Sequence, residues 1–99
     1  MAFEYKILTE QEVTDAIFQN IFDYIKMDKA FGEVHWEGDS IILPNPNASS
    51  PWGEIASIDK TTEGLFLSTV LNKPERDKLI QSIRTVLGNH GFDFAVEEE

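Results

Sequence analysis

The side chains that carry most metal and nucleophile chemistry are scarce in this chain. Its 99 residues contain no Cys and two histidines, His35 and His90. Without thiolates the chain cannot form a disulfide framework, a cysteine-ligated zinc site or a Cys nucleophile. The two histidines fall on different predicted elements, far from one another in sequence. We therefore predict no metal site and no cofactor.

Serines, threonines and carboxylates could still serve in catalysis, but their spacing matches no motif. The sequence has no G-x-S-x-G elbow, no G-x-G-x-x-G loop and no Walker A loop. Glu33 and Glu37 could form a pair of carboxylates along one strand, yet a chain with 18 Asp and Glu residues produces such pairs by chance. The expectation is a protein that is not an enzyme.

Carboxylates are what the chain has in abundance. Eight Lys and Arg residues against 18 Asp and Glu residues give a formal net charge of −10 at pH 7. Such a field repels nucleic acid and anionic membrane surfaces, and it attracts basic proteins. We therefore expect a basic protein partner, with neither nucleic acid nor membrane as ligand. The alternative is that the acidity serves only solubility.

The first residues and the distribution of apolar residues bear on location. Residues 1–6 have no basic segment followed by an apolar run, and no apolar run in the chain is long enough for a membrane span. The sequence thus predicts a cytoplasmic protein.

The elements that must position these side chains begin with a strand over residues 3–8, where apolar and polar residues alternate. Thr9 and Glu12 form the pattern of a capping box, which predicts that a helix begins there. Gly32 is expected to end that segment. The apolar face expected for this helix consists of Val13, Ile17, Phe18, Ile21, Phe22, Tyr24 and Ile25.

A hairpin is predicted over residues 33–43, with Gly38 and Asp39 as its two-residue turn. That register pairs Trp36 with Ile41 and Val34 with Leu43 on the core side. A proline-rich surface loop should follow over residues 44–51. The outward side of the hairpin would then present Glu33, His35, Glu37, Ser40 and Ile42.

Two further strands are predicted over residues 52–58 and 65–71, joined by a polar connection over 59–64. The later strand has apolar residues on both faces, which favours a central place in the sheet. Asn72 and Pro74 indicate the start of a second helix, and His90 is expected near its C-terminal end. The last strand is predicted over residues 92–97, running into the acidic end of the sequence. The apolar face of the second helix comprises Leu79, Ile80, Ile83, Val86 and Leu87.

Together these elements predict an α+β fold in a single compact domain over residues 1–99. The element order is β-α-β-β-β-β-α-β, and the sheet is mostly antiparallel with five to six strands. Two amphipathic helices should cover one face of that sheet. The other face would remain uncovered, and it would mix carboxylates with apolar side chains, as protein-binding surfaces do.

The functional hypothesis is an acidic module that inhibits or neutralises a basic protein, such as an immunity protein or antitoxin that blocks a toxin nuclease. The alternative is an adaptor or chaperone-like domain that uses its open sheet face or an edge strand. A homodimer through the open face is a further possibility, as is a half-wetted sheet without a partner. Trp52 could be buried or could anchor an interface. The predicted partner-binding residues are Asp15, Asp23, Glu33, His35, Glu37, Asp39, Glu54 and Phe66.

Overall fold

A computed structural model describes residues 3–28, 33–44 and 54–99 of the chain. It contains six strands and two helices in the predicted order, which confirms the α+β class. The elements are β1 (Phe3–Thr9), α1 (Asp15–Lys26), β2 (His35–Glu37), β3 (Ser40–Pro44), β4 (Glu54–Thr61), β5 (Gly64–Thr69), α2 (Lys73–Asn89) and β6 (Phe94–Glu98).

All six strands join one antiparallel sheet in the order β2-β3-β4-β5-β1-β6. The β5 strand lies between β4 and β1, so its predicted central place is confirmed. The edges of the sheet are β2 and β6. The β2–β3 hairpin has the predicted register, with Trp36 opposite Ile41, and Gly38 adopts the positive φ of 58° that its turn requires.

Both helices pack on the same face of the sheet, which we call the inner face. Alternate strand residues such as Ile7, Ile58 and Leu67 are fully buried there, while their neighbours point to the other side. The two helices contact each other, and their buried side chains join these strand residues in one hydrophobic core. The helical members of the core include Phe18, Ile21, Ile25, Leu79, Ile83 and Leu87.

The start of α1 differs from the prediction. Thr9 does not cap the helix, because it is the last residue of β1 and its backbone N–H donates to the carbonyl of Glu63. The N-cap is Thr14, whose hydroxyl accepts a hydrogen bond from the backbone N–H of Ile17. Tyr24 also departs from the predicted apolar face, since it is 43% exposed near the end of α1.

The connection between β4 and β5 is shorter than predicted. Asp59, Lys60 and Thr61 belong to β4, and Thr61 pairs directly with Gly64. The predicted six-residue connection is therefore wrong, because the strands continue into a tight turn. Gly64 is required by a close approach to β1: its φ is 144°, and a Cβ atom would lie 2.1 Å from the carbonyl oxygen of Ile7.

The second helix begins as predicted, with the Asn72 side chain accepting a hydrogen bond from the backbone N–H of Glu75. His90 is its C-cap residue. The last strand begins at Phe94 rather than at residue 92. Gly32, Trp52 and residues 45–51 lie outside the described part of the chain.

Candidate functional site

The side of the sheet opposite the helices is the candidate site, and we call it the open face. Its members follow from the strand registers, because residues two apart on a strand share a face and paired residues stand side by side. The open face includes Glu4, Lys6, Leu8, His35, Glu37, Ser40, Ile42, Ser57, Asp59, Thr61, Phe66, Ser68, Ala95 and Glu97.

These side chains lie in rows that cross the sheet. The longer row touches all six strands and spans about 24 Å at the usual strand spacing. It carries carboxylates near both ends and, in the middle, the aromatic ring of Phe66. In order it reads Glu37, Ser40, Asp59, Phe66, Lys6 and Glu97. The neighbouring row reads His35, Ile42, Ser57, Ser68 and Glu4.

The centre of the open face is partly apolar and only half-buried. Ile42 and Phe66 are both of intermediate exposure, and Ser57 and Ser68 pair between them. Beside Phe66 and Leu8 lies a shallow depression of about 250 Å³, which the β4–β5 turn borders. A flat half-apolar centre of this kind suits a protein surface better than a small substrate.

The charge of the open face is strongly negative. Its defined residues include four carboxylates and one ammonium group, that of Lys6. Lys6 is itself paired with Glu99 at 3.2 Å. The hydrogen bond and the charge of Glu99, followed by the charge of Glu63, raise the pKa of Lys6 above its ordinary value. Asp59 at the centre accepts a hydrogen bond from the hydroxyl of Ser40 at 2.5 Å.

A second group of charges lies at a corner of the helix side, around Lys60. The Lys60 ammonium binds the carboxylate of Asp15, and it lies 3.6 Å from Asp39. It also lies 5.9 Å from the centroid of the Phe18 ring. The hydrogen bond from Lys60 to Asp15 outweighs desolvation and raises the pKa of Lys60. The corner thus joins the start of α1 to the β2–β3 turn.

The predicted partner-binding residues are therefore divided between two sides of the molecule. The open face holds His35, Glu37 and Phe66, and the exposed Glu33 precedes β2. The strand order puts β3 and β4 between His35 or Glu37 and Phe66, a separation of about 14 Å.

The remaining predicted residues lie elsewhere. Asp15 and Asp39 bind Lys60 at the helix-side corner. Asp23 is exposed on α1, where it accepts a hydrogen bond from the side chain of Gln19 at 2.9 Å. Glu54 opens β4, but its side chain lies outside the described part of the structure.

Sequence reasoning missed several residues of the open face, including Glu4, Asp59 and Glu97. The predicted connection over residues 59–64 includes Asp59, and a residue outside a strand has no place on the predicted face. The signal for Glu4 is present in β1, since Glu4 is adjacent to the apolar Tyr5 and successive side chains of a strand point to opposite sides. The same argument applies to Glu97 opposite Lys6.

The described residues contain no group of three His, Cys, Asp or Glu residues placed to hold a metal ion. Neither helix in the described ranges is long and apolar enough to cross a membrane. A depression of about 560 Å³ lies at the Lys60 corner, where Glu10, Glu12 and Asp39 are among its lining residues. Comparison with protein-family models, with curated proteins and with solved structures gives no match.

Proposed function

We propose that the chain is an acidic protein-binding module that docks a basic protein on its open face and neutralises it. The observation that supports this is the arrangement of the face, with carboxylates spread around a half-buried centre of Ile42 and Phe66. Interfaces commonly combine an apolar centre with a polar rim. The most concrete form is an immunity protein or antitoxin that blocks a toxin nuclease.

The mechanism in this proposal has two parts. The net charge of −10 and the carboxylates of Glu4, Glu37, Asp59 and Glu97 attract a cationic surface and accelerate encounter. Docking then covers that surface, so a basic protein that handles nucleic acid loses access to its phosphate ligand. Neither part needs catalysis, metal or cofactor. The proposed compartment is the cytoplasm.

A second candidate is an adaptor domain for which the acidity is incidental. The half-buried Ile42 and Phe66 support it, because they offer apolar contact area regardless of charge. The two candidates differ in salt dependence. Association steered by charge slows steeply as ionic strength rises, whereas apolar contact barely responds.

The experiment uses three immobilised forms of the full chain: wild type, Glu37→Lys and Asp23→Lys. The two variants change the net charge equally, but Glu37 lies on the open face and Asp23 lies on α1. Each form is used to capture proteins from native lysate, and the product of a neighbouring gene is tested directly. Association rates of the captured protein are then measured at low and high salt.

We expect a basic protein that binds wild type and Asp23→Lys alike, with an association rate that falls steeply with salt. Binding to Glu37→Lys should be at least tenfold slower at low salt. Equal loss in both variants would show a response to net charge alone, which would contradict docking on the open face. An association rate that does not change with salt concentration would favour the adaptor domain.

A further inference from the structure

The outer edge of β6 exposes backbone hydrogen-bonding groups at alternate residues. The register of β1 and β6 fixes which ones, because the N–H of Glu10 donates to the carbonyl of Asp93 and the N–H of Glu99 donates to that of Glu4. In an antiparallel ladder, residues two apart have the same orientation. Odd-numbered residues from 93 to 99 therefore bond to β1. The residues whose N–H and C=O point away from the sheet are Phe94, Val96 and Glu98.

Two of these residues, Val96 and Glu98, line a groove beside α2. The groove has a volume of about 380 Å³, and Val96 and Ile80 give it apolar lining. Val96 is only half-buried, and Phe94 also packs partly against the core. An edge strand with free backbone groups and apolar side chains is a template for pairing with another strand. The opposite edge, β2, has only three residues and is a poorer template.

A two-fold axis through Val96 satisfies all the outward groups of β6 at once. Antiparallel pairing of two copies places Val96 opposite Val96, and Phe94 of each copy opposite Glu98 of the other. Every outward-pointing residue then meets another outward-pointing residue, as a hydrogen-bonded pair requires. An axis through residue 95 or 97 would pair only two of the three outward residues, Phe94 with Val96 or Val96 with Glu98, and so would form fewer hydrogen bonds.

The charges on α2 fit the same symmetry. Asp77 and Arg84 both line the groove, and they lie equally far in sequence from the midpoint between Ile80 and Gln81. A two-fold axis that brings these midpoints together places Asp77 of each copy opposite Arg84 of the other. Within one chain Asp77 binds Lys73 at 2.8 Å, which leaves a carboxylate oxygen able to accept from Arg84. An isologous interface needs such self-complementary pairs.

We propose that β6 and the adjoining side of α2 form the interface of a symmetric homodimer, in which two six-stranded sheets join edge to edge. The occupant of the groove is thus a second copy of this chain. This dimer leaves the open face of both copies uncovered, unlike the homodimer through the open face considered from the sequence. It does not depend on the proposed function.

The test measures molecular mass by sedimentation equilibrium over micromolar to millimolar concentrations of the full chain. The molecular mass of the wild-type protein should rise with concentration from 11.3 kDa towards twice that value. Asp77→Arg and Arg84→Asp should each weaken association at least tenfold, because each places like charges across the axis. The variant that combines Asp77→Arg with Arg84→Asp should associate as wild type does, since it restores opposite charges at both contacts.

Two controls protect the interpretation. Asp23→Arg, which changes net charge as Asp77→Arg does but lies on α1, should associate as wild type does. Val96→Pro should abolish association, because it removes an outward N–H and no bond to β1. Thermal unfolding of every variant shows whether it is folded. A mass of 11.3 kDa at all concentrations, or equal association of folded single and double variants, would overturn the proposal.

Discussion

The two faces of the sheet are built from the same strands, yet they differ in burial and therefore in how much they stabilise the fold. On the inner face Ile7, Ile58 and Leu67 are fully buried beneath the helices. One residue along each strand, Lys6, Ser57 and Phe66 stand on the open face, exposed or half-buried. The hydrophobic effect therefore stabilises the fold almost entirely through one face. The other face is free to vary in charge and shape at small cost in stability.

The largest expected effect that tests this comparison comes from adjacent residues of β5. Leu67→Ala should lower the free energy of unfolding by about 2–5 kcal/mol, because it leaves a cavity in a fully buried site. Phe66→Ala removes a larger side chain from the open face, yet should cost less than half as much. Urea denaturation of both variants measures the difference. Equal losses would mean that the open face stabilises the fold as the inner face does.

Next in size is the effect at Gly64, whose backbone lies close to that of β1. Gly64→Ala should destabilise by about 2 kcal/mol or more, since its Cβ would collide with the carbonyl of Ile7 at a φ of 144°. Gly38→Ala is the matched control, because its φ is also positive but no atom lies within 4 Å of its Cβ. It should cost about 1 kcal/mol. A smaller loss at Gly64 than at Gly38 would contradict the described approach.

The helix that covers one half of the inner face depends on its cap. Thr14→Ala should cost about 1 kcal/mol, because the hydroxyl satisfies the backbone N–H of Ile17. Thr9→Ala should cost less, since Thr9 ends β1 and its hydroxyl donates only to the nearby carbonyl of Gln11. Thermal denaturation compares the two. A greater loss at Thr9 would restore the helix start that the sequence suggested.

The smallest effect concerns two lysines, Lys6 on the open face and Lys60 at the helix-side corner. Both have a raised pKa in the folded protein, caused mainly by hydrogen bonds to Glu99 and Asp15 respectively. The stabilisation that these two lysines provide is complete at pH values below their ordinary pKa of 10.5. It is lost as the pH rises through their raised pKa in the folded protein. The free energy of unfolding should therefore decline above that pH.

Matched variants separate the contributions of the two lysines from each other and from that of the rest of the protein. Glu99→Gln and Asp15→Asn should each make the decline shallower. The effect of Asp15→Asn should be larger, because the Lys60 side chain is 20% exposed and that of Lys6 is 47% exposed. Urea denaturation at a series of alkaline pH values provides the measurement. An unchanged slope in both variants would show that neither pair persists in solution.

The parts of the fold that the sequence predicts correctly are those fixed by neighbouring residues. Gly38 permits the hairpin turn, Asn72 caps α2, and alternation assigns the faces of β3 and β5. These features depend on local backbone preference and on period-two burial, which a short window contains.

The failures have long-range causes. Thr9 and Thr14 are both competent caps, and what decides between them is the bond from the N–H of Thr9 to Glu63, far along the chain. Likewise the predicted partner-binding residues lie on two sides of the sheet because α1, which carries Asp15, packs on the inner face, where Lys60 contacts both Asp15 and Asp39. Local sequence does not determine which strand another strand pairs with, or which residues a distant lysine contacts.

The central claim is that the open face, rather than the helices, receives the basic partner. It is tested most directly by titrating the ¹⁵N-labelled chain with the captured basic protein and mapping the amide shifts. The largest shifts are expected at Ser57, Phe66 and Ser68, in the middle of the sheet. Shifts concentrated on the exposed sides of α1 and α2, with these strand amides unmoved, would contradict it.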